Sequence, residues 1–193
     1  NSWKAVSREG YDKPRALFPD VALEFIRKTQ ARKWEKLEKL HGAKTGEIIL
    51  ADLCRMLDKL GCLPVIRHGF KCYGQLLHMA FYKPAHGLNP EAEELYAANC
   101  LGVTRQLQYS ERNTNELDLT LSLNGIPVTT AELKNPMTGS TVVHAEAQYR
   151  QDRDSRETIF SFKRRTLVHF AVDTERVTMT TKLADSATVF LPF

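Results

Sequence analysis

What the sequence lacks excludes several classes of protein. No apolar run approaches the roughly 18–20 residues that a membrane-spanning helix needs, and the first ten residues, "NSWKAVSREG", have no apolar signal-peptide core. No Gly-x-x-x-x-Gly-Lys-[Ser/Thr] phosphate loop occurs, because "HGAKTGE" at 41–47 does not match it. We therefore expect neither a membrane protein nor a chain that hydrolyses ATP.

Cysteine motifs and base-reading motifs are also missing. The four cysteines form no Cys-x-x-Cys pair, and no two histidines have zinc-like spacing. This pattern predicts reduced, partly buried thiols in a cytoplasmic protein. There is also no helix-turn-helix or finger signature for reading nucleic-acid bases.

Length and charge say less about the class of protein than the missing motifs do. The 193 residues, 42% of them hydrophobic, suffice for one sizeable core and favour a single domain. A net charge of +4 is compatible with a polyanionic partner but does not establish one. The missing initial Met and the apolar end "FLPF" predict that 1–193 is a fragment of a longer chain.

The order of helix and strand patterns predicts a mixed α/β (α+β) domain. Helical patterns dominate at about 15–61, with Thr45 as the cap of a helix that runs to about Leu60. From about 62 to 193 we expect short strands with a glycine bend, a helix from Asn89-Pro90, a strand "GVTRQLQY", a hairpin, a helix at about 141–153 and a final strand pair. A central mixed sheet flanked by helices is the expected architecture.

The predicted hairpin carries unexpected charges. The runs Leu117–Leu123 and Ile126–Leu133 flank an Asn-Gly turn signal. Yet Asp118 lies in the first arm, and Glu132 and Lys134 end the second. Such residues are often a solvated polar edge, but they are also what metal-assisted phosphodiester cleavage requires, since carboxylates are ligands for Mg²⁺.

The spacing of Glu132 and Lys134 places both on one face of a strand. We expect the Leu133 side chain between them to point into the core, while its carbonyl remains available to a metal. Lys134 would orient or deprotonate water, or hold a phosphate oxygen.

The strand register opposes this arrangement if the hairpin is regular. A two-residue turn pairs Leu117 with Glu132, which puts Asp118 and Glu132 on opposite faces. We therefore predict a β-bulge or a different loop length between them. Pro127, which cannot donate to a ladder, marks one place for it.

Taken together, several motifs resemble the N-terminal endonuclease domain of the R (restriction and motor) subunit of type I restriction enzymes. They are "RHG" at 67–69, "YKPAHGLNPE" at 82–91, "TRQL" at 104–107, "ELDLTLSLNGIPVTTAELKNPMTG" at 116–139, "QYRQDRD" at 148–154 and "LVHFAVD" at 167–173. The resemblance implies a PD-(D/E)xK nuclease fold, with Asp118, Glu132 and Lys134 as the catalytic set. It implies Mg²⁺ held by Asp118, Glu132 and the backbone carbonyl of Leu133.

The resemblance also implies a function and partners. The chain would be a type I deoxyribonuclease domain that cleaves double-stranded DNA in the cytoplasm. It would act with the modification (methyltransferase) and specificity subunits, after translocation by ATP-dependent motor domains absent from this chain. The alternative is a catalytically silent nuclease-fold module for DNA or subunit docking. A glycosidase with two carboxylates would leave Lys134 without a role.

The sequence departs from the family pattern at two places, and the roles of four further residues have alternatives. Leu117 stands where the motif name has Pro, and the Gln-x-x-x-Tyr motif of related nucleases is not intact. Gln148 is the candidate for its glutamine, with Gln151 or a plain surface glutamine as alternatives. Arg105, Arg150 and Arg153 are candidate DNA contacts, but pairing with nearby carboxylates or structural packing is the alternative.

Overall fold

A computed structural model describes residues 3–135, 137 and 139–193; Pro136 and Thr138 of the hairpin motif lie outside the described residues. The strands are β1 (Lys4–Ala5), β2 (Phe70–Cys72), β3 (Gln75–Leu77), β4 (Leu101–Gln108), β5 (Glu116–Leu123), β6 (Ile126–Leu133), β7 (Val168–Val172), β8 (Val177–Thr180) and β9 (Leu191–Pro192). The helices are α1 (Pro19–Thr29), α2 (Ala31–His41), α3 (Thr45–Leu60), α4 (Cys62–His68), α5 (Pro90–Ala97) and α6 (Val142–Gln151).

The central sheet is mixed, as the sequence predicts. Its seven strands lie in the order β1-β4-β5-β6-β7-β8-β9, and the pairs β1–β4 and β6–β7 are parallel. The remaining neighbours in this sheet are antiparallel. Within the described residues, no helix has the length and apolar character needed to span a membrane.

The helices before residue 69 form one core with the turn end of the β5–β6 hairpin. Buried side chains of α1, α3 and α4 pack with the small β2–β3 hairpin and with Ile126 of β6. The helix α4 was not predicted, because its apolar run "CLPVIRH" is short enough for a strand. Gly61 and Gly69 bound it, at φ of 92° and 75°.

The start of α3 differs from the prediction in detail. Thr45 does not cap this helix from outside; it is the first residue of α3. Its hydroxyl donates instead to the Gly42 carbonyl at 2.7 Å, which closes the preceding turn. By contrast, Asn89 caps α5 as predicted, accepting from the Ala92 amide at 3.2 Å.

The predicted bulge is present in the β5–β6 hairpin. Leu123 pairs with Ile126 and Ser122 with Pro127, but Leu121 then pairs with Thr129, so Val128 is the extra residue. Beyond this point Leu119 pairs with Ala131. The prediction of a register shift near Pro127 is confirmed, and continuation of the ladder sets Asp118 opposite Glu132.

The hairpin turn also contacts the start of α1. Asn124 and Gly125 have φ of 49° and 84°, as a type I′ turn requires. The Gly125 carbonyl accepts from the Phe18 amide at 2.8 Å. A β-carbon on Gly125 would lie 2.6 Å from the Phe18 carbonyl oxygen and 2.8 Å from the Ala22 nitrogen.

We predict that Gly125→Ala lowers the free energy of unfolding by roughly 2–4 kcal/mol, since an L side chain is strained at positive φ and also overpacks this contact. Gly74→Ala is the matched control, because Gly74 has φ of 78° with open space around its β-carbon position. It should cost only about 1 kcal/mol. Urea denaturation measures both, and equal losses would contradict the argument from close contact.

Candidate active site

The open end of the β5–β6 hairpin brings Asp118 to the end of β6. One Asp118 carboxylate oxygen, Oδ2, accepts from the Leu133 amide at 2.8 Å. Burial is the main cause that raises the pKa of the Glu132 carboxyl, and the nearby Asp118 charge raises it further. The structure therefore brings the two predicted carboxylates together on one face, as the register shift requires.

Lys134 and Gln148 meet across the gap between the sheet and α6. The Lys134 backbone continues the ladder, its amide donating to the Val172 carbonyl at 2.8 Å. Its Nζ donates to Gln148 Oε1 at 2.5 Å. Of the two glutamines considered from the sequence, Gln148 contacts the predicted catalytic set, while Gln151 is exposed at the end of α6.

Helix α6 is itself anchored at its start. Thr141 and His144 form a capping box, and the Val142 amide donates to Asp173 Oδ2 at 2.7 Å. Asp173 directly follows β7, so this bond ties the helix to a strand that pairs with β6. The position of Gln148 over the sheet follows from this anchoring.

Glu132 is fully buried and paired with Arg153. Its Oε1 accepts from Arg153 Nε at 2.9 Å and from Nη2 at 2.6 Å. Burial raises the pKa of the Glu132 carboxyl above its usual range, while Arg153 and, more weakly, Lys134 oppose this shift. Both side chains are at most 2% exposed, so this ion pair is desolvated.

The prediction for the Leu133 side chain is wrong. Leu133 is 46% exposed rather than buried. It lies at the last position of β6, on the face opposite Glu132, whereas Ala131 on that same face is buried. The backbone of Leu133 still lies between the two carboxylate-bearing positions, because its amide is bound by Asp118.

The candidate DNA contacts fall in different places. Arg153 is buried and paired with Glu132, which opposes the predicted DNA contact and agrees with the alternative of pairing with a carboxylate. Arg105 is exposed, but it pairs with Leu119 and so lies on the face opposite Asp118. Arg150 pairs with Glu146 at 3.1 Å, one turn earlier on α6.

A buried polar network beneath the site was missed from the sequence. Thr130 Oγ1 lies 2.9 Å from the Tyr149 hydroxyl and 2.7 Å from His169 Nδ1. It joins β6, α6 and β7, and all three side chains are at most 1% exposed. The adjacency of Gln148 and Tyr149 was visible, but Thr130 and His169 read as ordinary strand residues.

The donor atoms suit a hard divalent cation, although their number is small. Among the described residues, no group of three or more His, Cys, Asp or Glu side chains could hold a metal. However, Glu132 Oε2 is buried and has no hydrogen-bond partner among the described residues. An orphaned buried carboxylate oxygen is unfavourable, and a cation shared with Asp118 and a backbone carbonyl would satisfy it.

A comparison of the sequence with models of known protein families finds a match. The family model described as "Type I restriction enzyme R protein N terminus" matches residues 88–188. This span is just over half of the chain. The chain belongs to this family. The match includes α5, α6, β4 to β8 and every predicted site residue, and it confirms the restriction-endonuclease-like fold class. None of the curated proteins matches the chain.

The buried His169 makes a testable contribution to stability. Burial lowers its pKa from 6.5 to about 3, so the folded protein keeps the ring neutral. The unfolded ring takes up a proton below about pH 6.5. The stability contribution is therefore complete above pH 6.5 and is lost as the pH falls.

We predict that His169→Gln reduces the loss of unfolding free energy between pH 7.5 and pH 5.0 by roughly 2 kcal/mol. Urea denaturation at the two pH values measures this. His86→Gln is the control, because His86 is exposed, and it should keep the full pH dependence. An unchanged pH dependence in His169→Gln would contradict a neutral buried imidazole.

Proposed function

We propose that this chain is the Mg²⁺-dependent endonuclease domain of a type I restriction enzyme R subunit, hydrolysing phosphodiester bonds of double-stranded DNA. The observation that carries the proposal is the extra residue of β6 at Val128, because the register at Leu119–Ala131, continued by one pair, sets Asp118 opposite Glu132. A hairpin without it would separate the carboxylates. Family membership supports the same proposal through residues 88–188.

In this proposal Asp118, Glu132 and the Leu133 carbonyl hold the cation. When bound, Mg²⁺ would lower the pKa of a water molecule and offset negative charge on the phosphate. Asp118 is held near this place by the Leu133 amide. Lys134 would hold a phosphate oxygen or orient the attacking water, and Gln148 positions its Nζ.

The rest of the enzyme would supply what this chain lacks. We propose a single nuclease domain, with a helical part at about 15–61 and a core at about 62–193, that acts in the cytoplasm. ATP-driven translocation would come from motor domains outside this chain. The choice of DNA sequence would come from the modification and specificity subunits. The absence of a phosphate loop and of base-reading motifs in the sequence supports this division.

We predict that Asp118→Ala, Glu132→Ala and Lys134→Ala each reduce DNA cleavage by at least about 100-fold. The variants are tested in the R subunit assembled with its modification and specificity subunits. ATP hydrolysis should persist, because the motor lies elsewhere. Double variants should be hardly slower than single ones, since the residues act as a unit.

Glu35→Ala is the control for these variants, because Glu35 is exposed on α2 in the helical part. It should cleave plasmid DNA at the normal rate. Normal cleavage by any one of the three site variants would remove that residue from the mechanism. Loss of ATP hydrolysis together with cleavage would instead indicate a defect in assembly.

One observation favours the alternative, a catalytically silent docking module. The Glu132 carboxylate already has a cationic partner, and a paired buried carboxylate does not require a metal. A nuclease should bind a divalent cation through Asp118 and Glu132, whereas a docking module need not.

We predict that the chain binds Mn²⁺, a substitute for Mg²⁺ that electron paramagnetic resonance detects. Asp118→Asn and Glu132→Gln should each weaken binding at least tenfold, because each removes an oxygen ligand with its charge. Glu35→Gln should bind normally. Binding that ignores both site variants would favour the docking module over the nuclease.

A further inference from the structure

Contacts of the protein itself fix the Arg153 guanidinium. Its Nη2 donates to the Glu116 carbonyl at 2.8 Å, and its central carbon lies 5.6 Å from the centre of the Tyr109 ring. The side chain is only 2% exposed. These contacts come from β5 and from the residue that follows β4, so the guanidinium is held independently of Glu132.

The contact with Glu132 distinguishes its two carboxylate oxygens. Both Arg153 hydrogen bonds to Glu132, from Nε and Nη2, end on Oε1. The other oxygen, Oε2, is buried without a hydrogen-bond partner among the described residues. A flexible glutamate in an open site has several rotamers, whereas this carboxylate is held by one oxygen.

We propose that Arg153 is a positioning residue that holds Glu132 by Oε1 and thereby presents Oε2 to the divalent cation. This inference rests on the proposed nuclease function. The planar guanidinium is suited to the role, because its donors have a fixed geometry that an ammonium group lacks. The preformed carboxylate would bind the cation without first losing rotamer freedom.

Arg153 could instead lower the affinity of the site for the divalent cation. A guanidinium bound to a metal ligand could compete with the cation for the same carboxylate. Removal of Arg153 would then tighten cation binding. If Arg153 positions Glu132, its removal must weaken cation binding. One measurement of the affinity for the cation therefore separates the two roles.

The experiment measures Mn²⁺ binding to the 193-residue chain by electron paramagnetic resonance. Arg153→Met should raise the dissociation constant at least tenfold. Arg153→Lys should raise it at least threefold, because it keeps a positive charge but loses the planar fork. Arg156→Met is the control from the same segment, because Arg156 is 81% exposed and pairs with Asp154. It should bind Mn²⁺ normally.

Thermal unfolding followed by circular dichroism checks that each variant is folded. If Arg153→Met does not fold, Arg153→Lys alone decides the question. Unchanged affinity in Arg153→Lys would overturn the inference, since charge alone would then suffice. Tighter binding in either variant would overturn it as well and would assign Arg153 the competing role.

A second readout uses the assembled enzyme. Arg153→Lys should raise the Mg²⁺ concentration for half-maximal cleavage at least threefold while leaving the rate at saturating Mg²⁺ within about twofold, because the cation restores the carboxylate geometry once bound. A lower saturating rate with unchanged Mg²⁺ dependence would contradict a positioning role that acts through the cation.

The outcomes also separate this inference from the proposed function. If Glu132→Gln weakens Mn²⁺ binding and the Arg153 variants do not, only the positioning role fails. If the unaltered chain binds no Mn²⁺, the proposed metal site and the positioning role fail together. In the Glu132→Gln background, Arg153→Lys should cause no further loss, because its effect acts through Glu132.

Discussion

The register of β6 against β5 determines which side chains can meet at the site. Val128 lies between the pairs Ser122–Pro127 and Leu121–Thr129, and this one extra residue moves every later side chain of β6 to the other face. Glu132 therefore lies beneath α6 with Asp118 opposite. The turn that starts this register is fixed in its own right, because Gly125 contacts the start of α1 too closely to admit a β-carbon.

Three alternate residues, two in β6 and one directly after it, each reach a polar partner on or just after α6. Thr130 meets Tyr149, Glu132 meets Arg153 and Lys134 meets Gln148. This repeat follows from the period of two in a strand, and it depends on α6 being tied to β7 through Asp173. The side chains proposed for chemistry thus lie on packed strands and a capped helix, which favours a fixed geometry.

Local patterns were enough to predict much of this arrangement. The Asn-Gly turn, the helix from Asn89 and the need for a bulge follow from turn chemistry, capping and counting along two strands. The burial of Arg153 against Glu132 could not be predicted, because a buried arginine and a surface arginine have the same sequence signature. Nor could α4, since a run of five apolar residues within a seven-residue segment fits a strand or a helix, and tertiary packing decides between them. The exposure of Leu133 goes with its place at the end of β6, since Ala131 on the same face is buried.

The charges of the site give a physical reason for the cation and DNA to bind together. The formal charges of Asp118 and Glu132 are balanced by those of Lys134 and Arg153, so neither a cation nor a phosphate meets a strong net attraction by itself. If the site binds Mg²⁺ as proposed, the bound cation leaves an excess of positive charge that attracts a phosphodiester. A phosphodiester delivered to Lys134 equally increases the affinity for the cation, because coupling between two ligands is reciprocal. The proposed site would therefore bind the cation more tightly when DNA is present than in the chain alone.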